Sequence, residues 1–172
     1  KIVTGLAALE TGKVTPEGKI FDSGRHWLIP KGNAHGDALG WIDFRVALAK
    51  SDNVYFYEMG NRLGIDSLEK FARPFGLGAF TGIRLPGEAD GLVANQRYKK
   101  KVYDDDWYLS ETFDAAIGQG FQLATPLQIA SVISVVANGG TLYRPYLVNR
   151  IVAPDGKILR EFQPEVINRI PL

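Results

Sequence analysis

"LAKSDNVYFYEMG", Leu48 to Gly60, places the triplet Ser51-Asp52-Asn53 between two runs that both read as helix. Upstream, Asp43 is suited to cap a helix running through Lys50, with Val46, Ala47 and Leu48 available for burial. Downstream, Val54 to Leu63 has helical periodicity and Gly64 at its C′ position. Ser, Asp and Asn are favoured N-cap residues, so the triplet has a plain structural use. The aromatics Tyr55, Phe56 and Tyr57 are expected in a core, because a helix flanked by other elements buries one face. The same three residue types also suit one corner of an active site, and the rest of the chain must choose between the two uses.

Length and composition set the frame. The 172 residues suffice for one domain with a sizeable core, and 45% apolar against 23% charged residues excludes a disordered chain. A net charge of +1 gives no reason to expect nucleic acid as partner. There is no cysteine, hence no disulfide and no thiol chemistry. No apolar run approaches the roughly 20 residues of a membrane span, and no signal peptide is present. The opening "KIVTGLAALETG" reads as a helix already under way, with Ile2, Val3, Leu6 and Leu9 as its stripe and Gly12 as its stop. This start and the ending "NRIPL" read as a segment of a longer protein, truncated at both ends.

Thr15 to Gly40 is Gly/Pro-punctuated chain holding a short strand in "GKIFDSG". Asp66 or Ser67 is expected to cap a helix that stops near Pro74-Phe75-Gly76, and Gly82 to Leu85 is a candidate strand. "RYKKKVYDDDWY" reads as a solvated, charge-segregated loop. Thr125, Pro126 and Gln128 form a capping box with Pro at N1, opening a buried helix that ends at Asn138-Gly139-Gly140. Two strands around Pro154-Asp155-Gly156 make a hairpin. The sum is one domain of mixed, segregated α and β structure, an α+β fold.

Serine acyl-transfer chemistry gives the triplet its second meaning. A serine hydroxyl needs a neighbouring base to attack at neutral pH, and a lysine serves if burial or a second cation lowers its pKa. A second serine can relay the proton, and an asparagine can hold both lysine and substrate amide. Four signatures in order carry the resemblance: "KIVTGLAALETG", "AKSDNVYFYEMGNRLGID", "FGLGAFTGIRLPGE" and "AAIGQGFQLATPLQIA". Together they resemble class B penicillin-binding proteins over nearly the whole chain. "DDDWYLSETFDAAIGQG", with Trp107-Tyr108 and Thr112, resembles the elongation-type penicillin-binding protein 2 group.

The resemblance implies the serine β-lactamase and D,D-peptidase fold, mostly its helical subdomain plus part of the sheet region. It implies Lys1 as the lysine of Ser-x-x-Lys, Ser51 and Asn53 as further catalytic residues, and Asn53 as a substrate contact. The implied activity is a peptidoglycan D,D-transpeptidase that crosslinks stem peptides and is acylated by β-lactams, with no cofactor and no metal. A glycan-polymerising partner and a membrane anchor, with catalysis outside the cytoplasmic membrane, are implied as well. Two departures stand out: neither the nucleophilic serine nor a Lys-Thr/Ser-Gly motif occurs in the 172 residues, so this stretch alone is expected to be inactive. Another enzyme or sensor of the same fold (carboxypeptidase, β-lactamase, receptor domain) and a non-catalytic binding module stay open.

Three other features have blander readings. "SLEK", Ser67 to Lys70, fits Ser-x-x-Lys but follows the triplet and suits a solvated helix face. His26 and His35 with Asp22 and Asp37 could suggest a metal. Some elongation-type members carry zinc on a cysteine in the second motif and a nearby His-Gly; here Asp52 stands in place of that cysteine and His35-Gly36 is displaced upstream, so solvated or locally bonded loop residues are expected. Gln119, between two glycines, is expected to serve a turn rather than the chemistry.

Overall fold

The computed structural model describes residues 1–172. The chain divides into two compact units, Lys1–Ala72 with Val93–Leu123, and Arg73–Leu92 with Ala124–Leu172. The architecture is mixed α and β, as expected.

The first unit is helical and is organised around α3. Its helices are α1 (Ile2–Glu10), α2 (Phe44–Lys50), α3 (Asn53–Leu63), α4 (Ile65–Ala72), α5 (Gln96–Tyr103) and α6 (Leu109–Ala116), with the short antiparallel pair β1 (Ile20–Asp22) and β2 (Gly40–Ile42). Seven of the eleven α3 residues are buried, so this helix is the core rather than a surface element. Tyr55, Phe56 and Tyr57 are buried as expected, beside Met59 and, from the neighbouring helices, Ala7, Ala8 and Ala116. Close approach requires a glycine here: a Cβ on Gly60 would lie 2.7 Å from the Ala116 Cβ of α6. A bond of 2.7 Å from Thr4 Oγ1 to the Ala116 carbonyl ties α1 to the end of α6.

The second unit holds a 3₁₀ turn (Arg73–Phe75), α7 (Pro126–Ala137), the antiparallel pair β3 (Thr141–Tyr143) and β6 (Val166–Arg169), and the hairpin β4 (Arg150–Val152) and β5 (Ile158–Glu161). The capping box on α7 forms as read, and Gln128 does more than cap. Its Oε1 accepts from Thr125 N at 2.9 Å, while its buried Nε2 donates to the carbonyls of Ala79 and Asp90, both at 2.8 Å. One side chain thus closes a helix end and pins the loop of residues 79–90.

Several local expectations are corrected. Gly82 to Leu85 is not a strand, since Gly82 and Arg84 both have positive φ, which breaks an extended run. α4 begins at Ile65, before Asp66 and Ser67, because Gly64 ends α3 and its carbonyl already accepts from Leu68 N at 3.2 Å. Val46 and Leu48 are each 40% exposed, and only Ala47 of α2 is buried. α7 buries only Gln128, Val132 and Val135, leaving Ile129, Ile133 and Val136 exposed along one side.

The charged stretch is not a solvated loop. Its first half is α5, capped by Asn95, and Lys99 is buried. Lys99 Nζ meets Asp105 Oδ2 at 2.9 Å and Glu111 Oε1 at 2.7 Å, and lies 4.0 Å from the centre of the Tyr108 ring. A lysine can be buried once two carboxylates and an aromatic face replace its water.

Candidate active site

The turn between α2 and α3 sets the geometry. Ser51 ends α2 in the left-handed region at φ 55°, and Asp52 N donates back to Ala47 O at 2.9 Å, closing the helix end. A non-glycine residue there costs on the order of 1 kcal/mol, a strain typical of functional positions. Asp52, not Ser51, is the N-cap of α3, its Oδ1 accepting from Tyr55 N at 2.6 Å. With Asp52 turned inward to cap, Ser51 and Asn53 on either side of it are free to face a common point.

That point is Lys1. Its Nζ donates to Ser51 Oγ at 2.9 Å, to Asn53 Oδ1 at 2.6 Å and to the Ser51 carbonyl. Lys1 therefore forms one cluster with two residues of the triplet that lie 50 and 52 positions along the chain from it. Burial lowers the Lys1 ammonium pKa, and the negative charge of Asp52 partly counters that fall. A lysine so placed can be held neutral closer to physiological pH than an exposed one.

The cluster opens on a cleft of about 830 Å³. Gln119 sits in the expected turn, and that turn also lines the cleft. Gly118 and Gly120 take φ values of 82° and 67°, and Gln119 N is anchored on Asp114 O at 2.8 Å, so the loop presents an exposed amide at a fixed height. The signal was in the sequence, as a side chain flanked by two glycines, but the wall it stands on was not.

The remaining candidates fall elsewhere. Ser67 lies within α4, and Lys70 beside it is exposed. His26 is buried, bonded to Glu58 at 3.1 Å and packed edge-on to Phe113. His35 and Asp37 are exposed on the cleft, and Asp22 is buried under hydrogen bonds from Gly24 N and Leu39 N. No three His, Cys, Asp or Glu side chains converge in a way that could hold a metal.

The model of the penicillin binding protein transpeptidase domain matches residues 1–172, the entire chain. The chain belongs to the penicillin-binding protein transpeptidase family. Among its relatives, the peptidoglycan D,D-transpeptidase MrdA of Haemophilus influenzae is 31% identical over 171 residues, 94% of this chain and 25% of that protein. MrdA of Escherichia coli K12 is 31% identical over 169 residues, 95% of this chain and 26% of that protein. The chain thus spans about a quarter of the length of these relatives.

Among solved structures, Pseudomonas aeruginosa PBP2 in complex with WCK 5153 superposes with a TM-score of 0.85 at 34% identity, over 99% of this chain and 38% of that one. The PBP2–MreC complex of Helicobacter pylori gives 0.81 at 29% identity, over 96% of this chain and 30% of that one. These neighbours bear out the penicillin-binding protein 2 reading taken from Trp107-Tyr108 and Thr112. The last of these residues accepts from the Trp107 indole N–H at 2.8 Å, which fixes the start of α6.

Proposed function

We propose that the full-length protein is a peptidoglycan D,D-transpeptidase in which Lys1, Ser51 and Asn53 serve a serine nucleophile three residues before Lys1. The observation that carries the reading is Lys1 Nζ bonded to both Ser51 Oγ and Asn53 Oδ1, with its ammonium form disfavoured by burial. A serine one helical turn ahead of Lys1 falls on the same helix face. Neutral Lys1 takes the hydroxyl proton as the serine oxygen attacks the penultimate D-Ala carbonyl of a stem peptide. The tetrahedral intermediate collapses to an ester, and the terminal D-Ala leaves as an amine carrying a proton relayed through Ser51. The amine of a second stem peptide then attacks the ester, forms the crosslinking amide and returns the serine. Asn53 Oδ1 holds Lys1, and its Nδ2, which gives one hydrogen to Gly32 O at 3.2 Å, keeps the other for substrate.

β-Lactams would acylate the same serine. The chemistry needs no metal or organic cofactor. The H. pylori complex of PBP2 with MreC and the solved peptidoglycan synthase complex that coordinates polymerization and crosslinking support a setting in the elongation machinery beside a glycan-polymerising partner. The substrate places the catalytic domain on the outer face of the cytoplasmic membrane. No helix of the chain is long and apolar enough to cross a membrane, and the anchor is assigned to other parts of the protein.

The test is the acylation rate of the full-length enzyme with a fluorescent penicillin, alongside D-Ala release from a stem peptide. The parent should be labelled one-to-one and deacylate slowly. Asn53→Ala and Ser51→Ala should each slow acylation by about 10²-fold, the scale of losing a positioned polar group or proton relay. Full acylation rates in both variants, with only a lowered thermal midpoint, would reduce the triplet to a helix cap. Rapid turnover of the penicillin would make the enzyme a hydrolase instead.

A further inference from the structure

Asn33 lies in the irregular chain between β1 and β2, outside every motif considered above. Its carboxamide bonds both to the second motif and to the first turn of the helix that follows it. Oδ1 accepts from Asn53 N at 2.7 Å and from Val54 N at 3.3 Å. These are the first two amides of α3, which a helix leaves without internal partners. Asp52 satisfies only the third, Tyr55 N. Capping of α3 is therefore divided between its own N-cap and a side chain 20 residues upstream.

The amide nitrogen faces the other way. Nδ2 lies 2.8 Å from Asp52 Oδ2, 3.0 Å from Asp22 Oδ2 and 2.9 Å from the Asp37 carbonyl. Asp22 and Asp52 are almost wholly buried, at 1% and 3% exposure. Two buried carboxylates repel each other, and a neutral donor between them offsets that repulsion. The amide cannot be turned over: the flipped form would point N–H at N–H on one side and oxygen at carboxylate on the other. The neighbouring Gly32 supplies its carbonyl to Asn53 Nδ2 at 3.2 Å. A Cβ on Gly32 would sit 2.1 Å from Gly24 O, so only glycine lets this strip of backbone come close enough.

We infer that Asn33 is the positioning residue of the lysine–serine–asparagine cluster: its carboxamide clamps Asp52 and the start of α3 so that Ser51 and Asn53 face Lys1. The inference rests on the transpeptidase reading of that cluster. Asn33 itself makes no bond to Lys1 and acts only through the triplet. The element it controls is short and strained. Ser51 holds its left-handed conformation between the end of α2 and the clamped Asp52. Releasing Asp52 frees Ser51 to relax, and a displacement of about 1 Å at reacting groups can cost on the order of 10²-fold in rate.

The experiment uses the full-length enzyme and a fluorescent penicillin at limiting and saturating concentrations. Asn33→Ala should lower the limiting acylation rate constant about 10- to 10²-fold and change the half-saturating concentration much less. Asn33→Asp keeps the acceptor for Asn53 N but sets a third carboxylate against Asp22 and Asp52, and should lose as much. Asn33→Asp with Asp52→Asn exchanges donor and acceptor across the contact at unchanged charge. This exchange should recover at least tenfold of the rate lost by Asn33→Asp, a recovery that a merely structural role for residue 33 does not produce.

Folded Asn33→Ala enzyme acylating within twofold of the parent, or a folded exchange variant as slow as Asn33→Asp, would overturn the inference. A parent that no penicillin labels would sink the transpeptidase reading instead. The inference is then judged on the Lys1 ε-carbon titration by NMR, assigned with Lys1→Arg. The lysine should titrate higher in the Asn33 variants as water reaches it, and an unmoved titration would overturn the clamp.

Discussion

In the proposed mechanism Lys1 is the residue on which the chemistry turns, and its ionisation is set by two opposed influences. Burial penalises the ammonium and lowers the pKa; the Asp52 carboxylate stabilises the ammonium and raises it, and burial wins. In the proposed mechanism only the neutral amine accepts the serine proton. The acylation rate of the full-length enzyme should therefore climb with pH through the Lys1 ionisation, with a midpoint below the roughly 10.4 of an exposed lysine. A pH–rate profile whose rise follows an ordinary lysine would remove Lys1 from the role of base. The residue types at this site were legible from Ser51-Asp52-Asn53 together with the family resemblance that singled out Lys1. Which of the three caps and which face Lys1 was not. That division follows from the left-handed turn at Ser51, whose φ of 55° no propensity for serine predicts.

At the scale of the element, α3 is what carries the triplet, and its seat is fixed by close packing. Gly60 faces Ala116 on α6, and α6 continues into the loop that presents Gln119. Gly60→Ala would force two methyl groups to within about 2.7 Å, so one helix must move. The expected cost is about 1–3 kcal/mol, the range for overpacking a filled core. It should be relieved by Ala116→Gly in the same chain, because that change removes the opposing methyl. Thermal midpoints of the two single variants and the double variant measure this coupling. A Gly60→Ala variant as stable as the parent would show that the two helices slide freely. Sequence periodicity sufficed for α1 and for α2, α3 and α7, the last three of which carry local side-chain caps. It failed for α5, where a run of lysines hides one residue that turns inward onto Asp105 and Glu111. It also failed for β2, β3 and β6, strands of three or four residues defined by partners far along the chain.

For the whole molecule, the 172 residues hold a lysine, a serine and an asparagine in register around a cleft, and no nucleophile beside them in the sequence. The isolated 172-residue chain should therefore take no covalent label from a fluorescent penicillin, while the full-length protein does. One-to-one labelling of the isolated chain would mean the nucleophile has been misplaced, and Ser67 in α4 would be the first residue to substitute. Sequence by itself determined the α+β class and the family, and pointed to Lys1, Ser51 and Asn53 as the proposed site, because these rest on local caps and on ordered signatures along the chain. Only the tertiary structure decided that Gln119 stands on the same cleft, that Lys99 is buried, and that Asn33 holds the triplet in place. Each of these depends on hydrogen bonds or packing between segments distant in sequence. Such contacts satisfy buried polar groups, and nothing in the order of the residues says which partner will be within 3 Å.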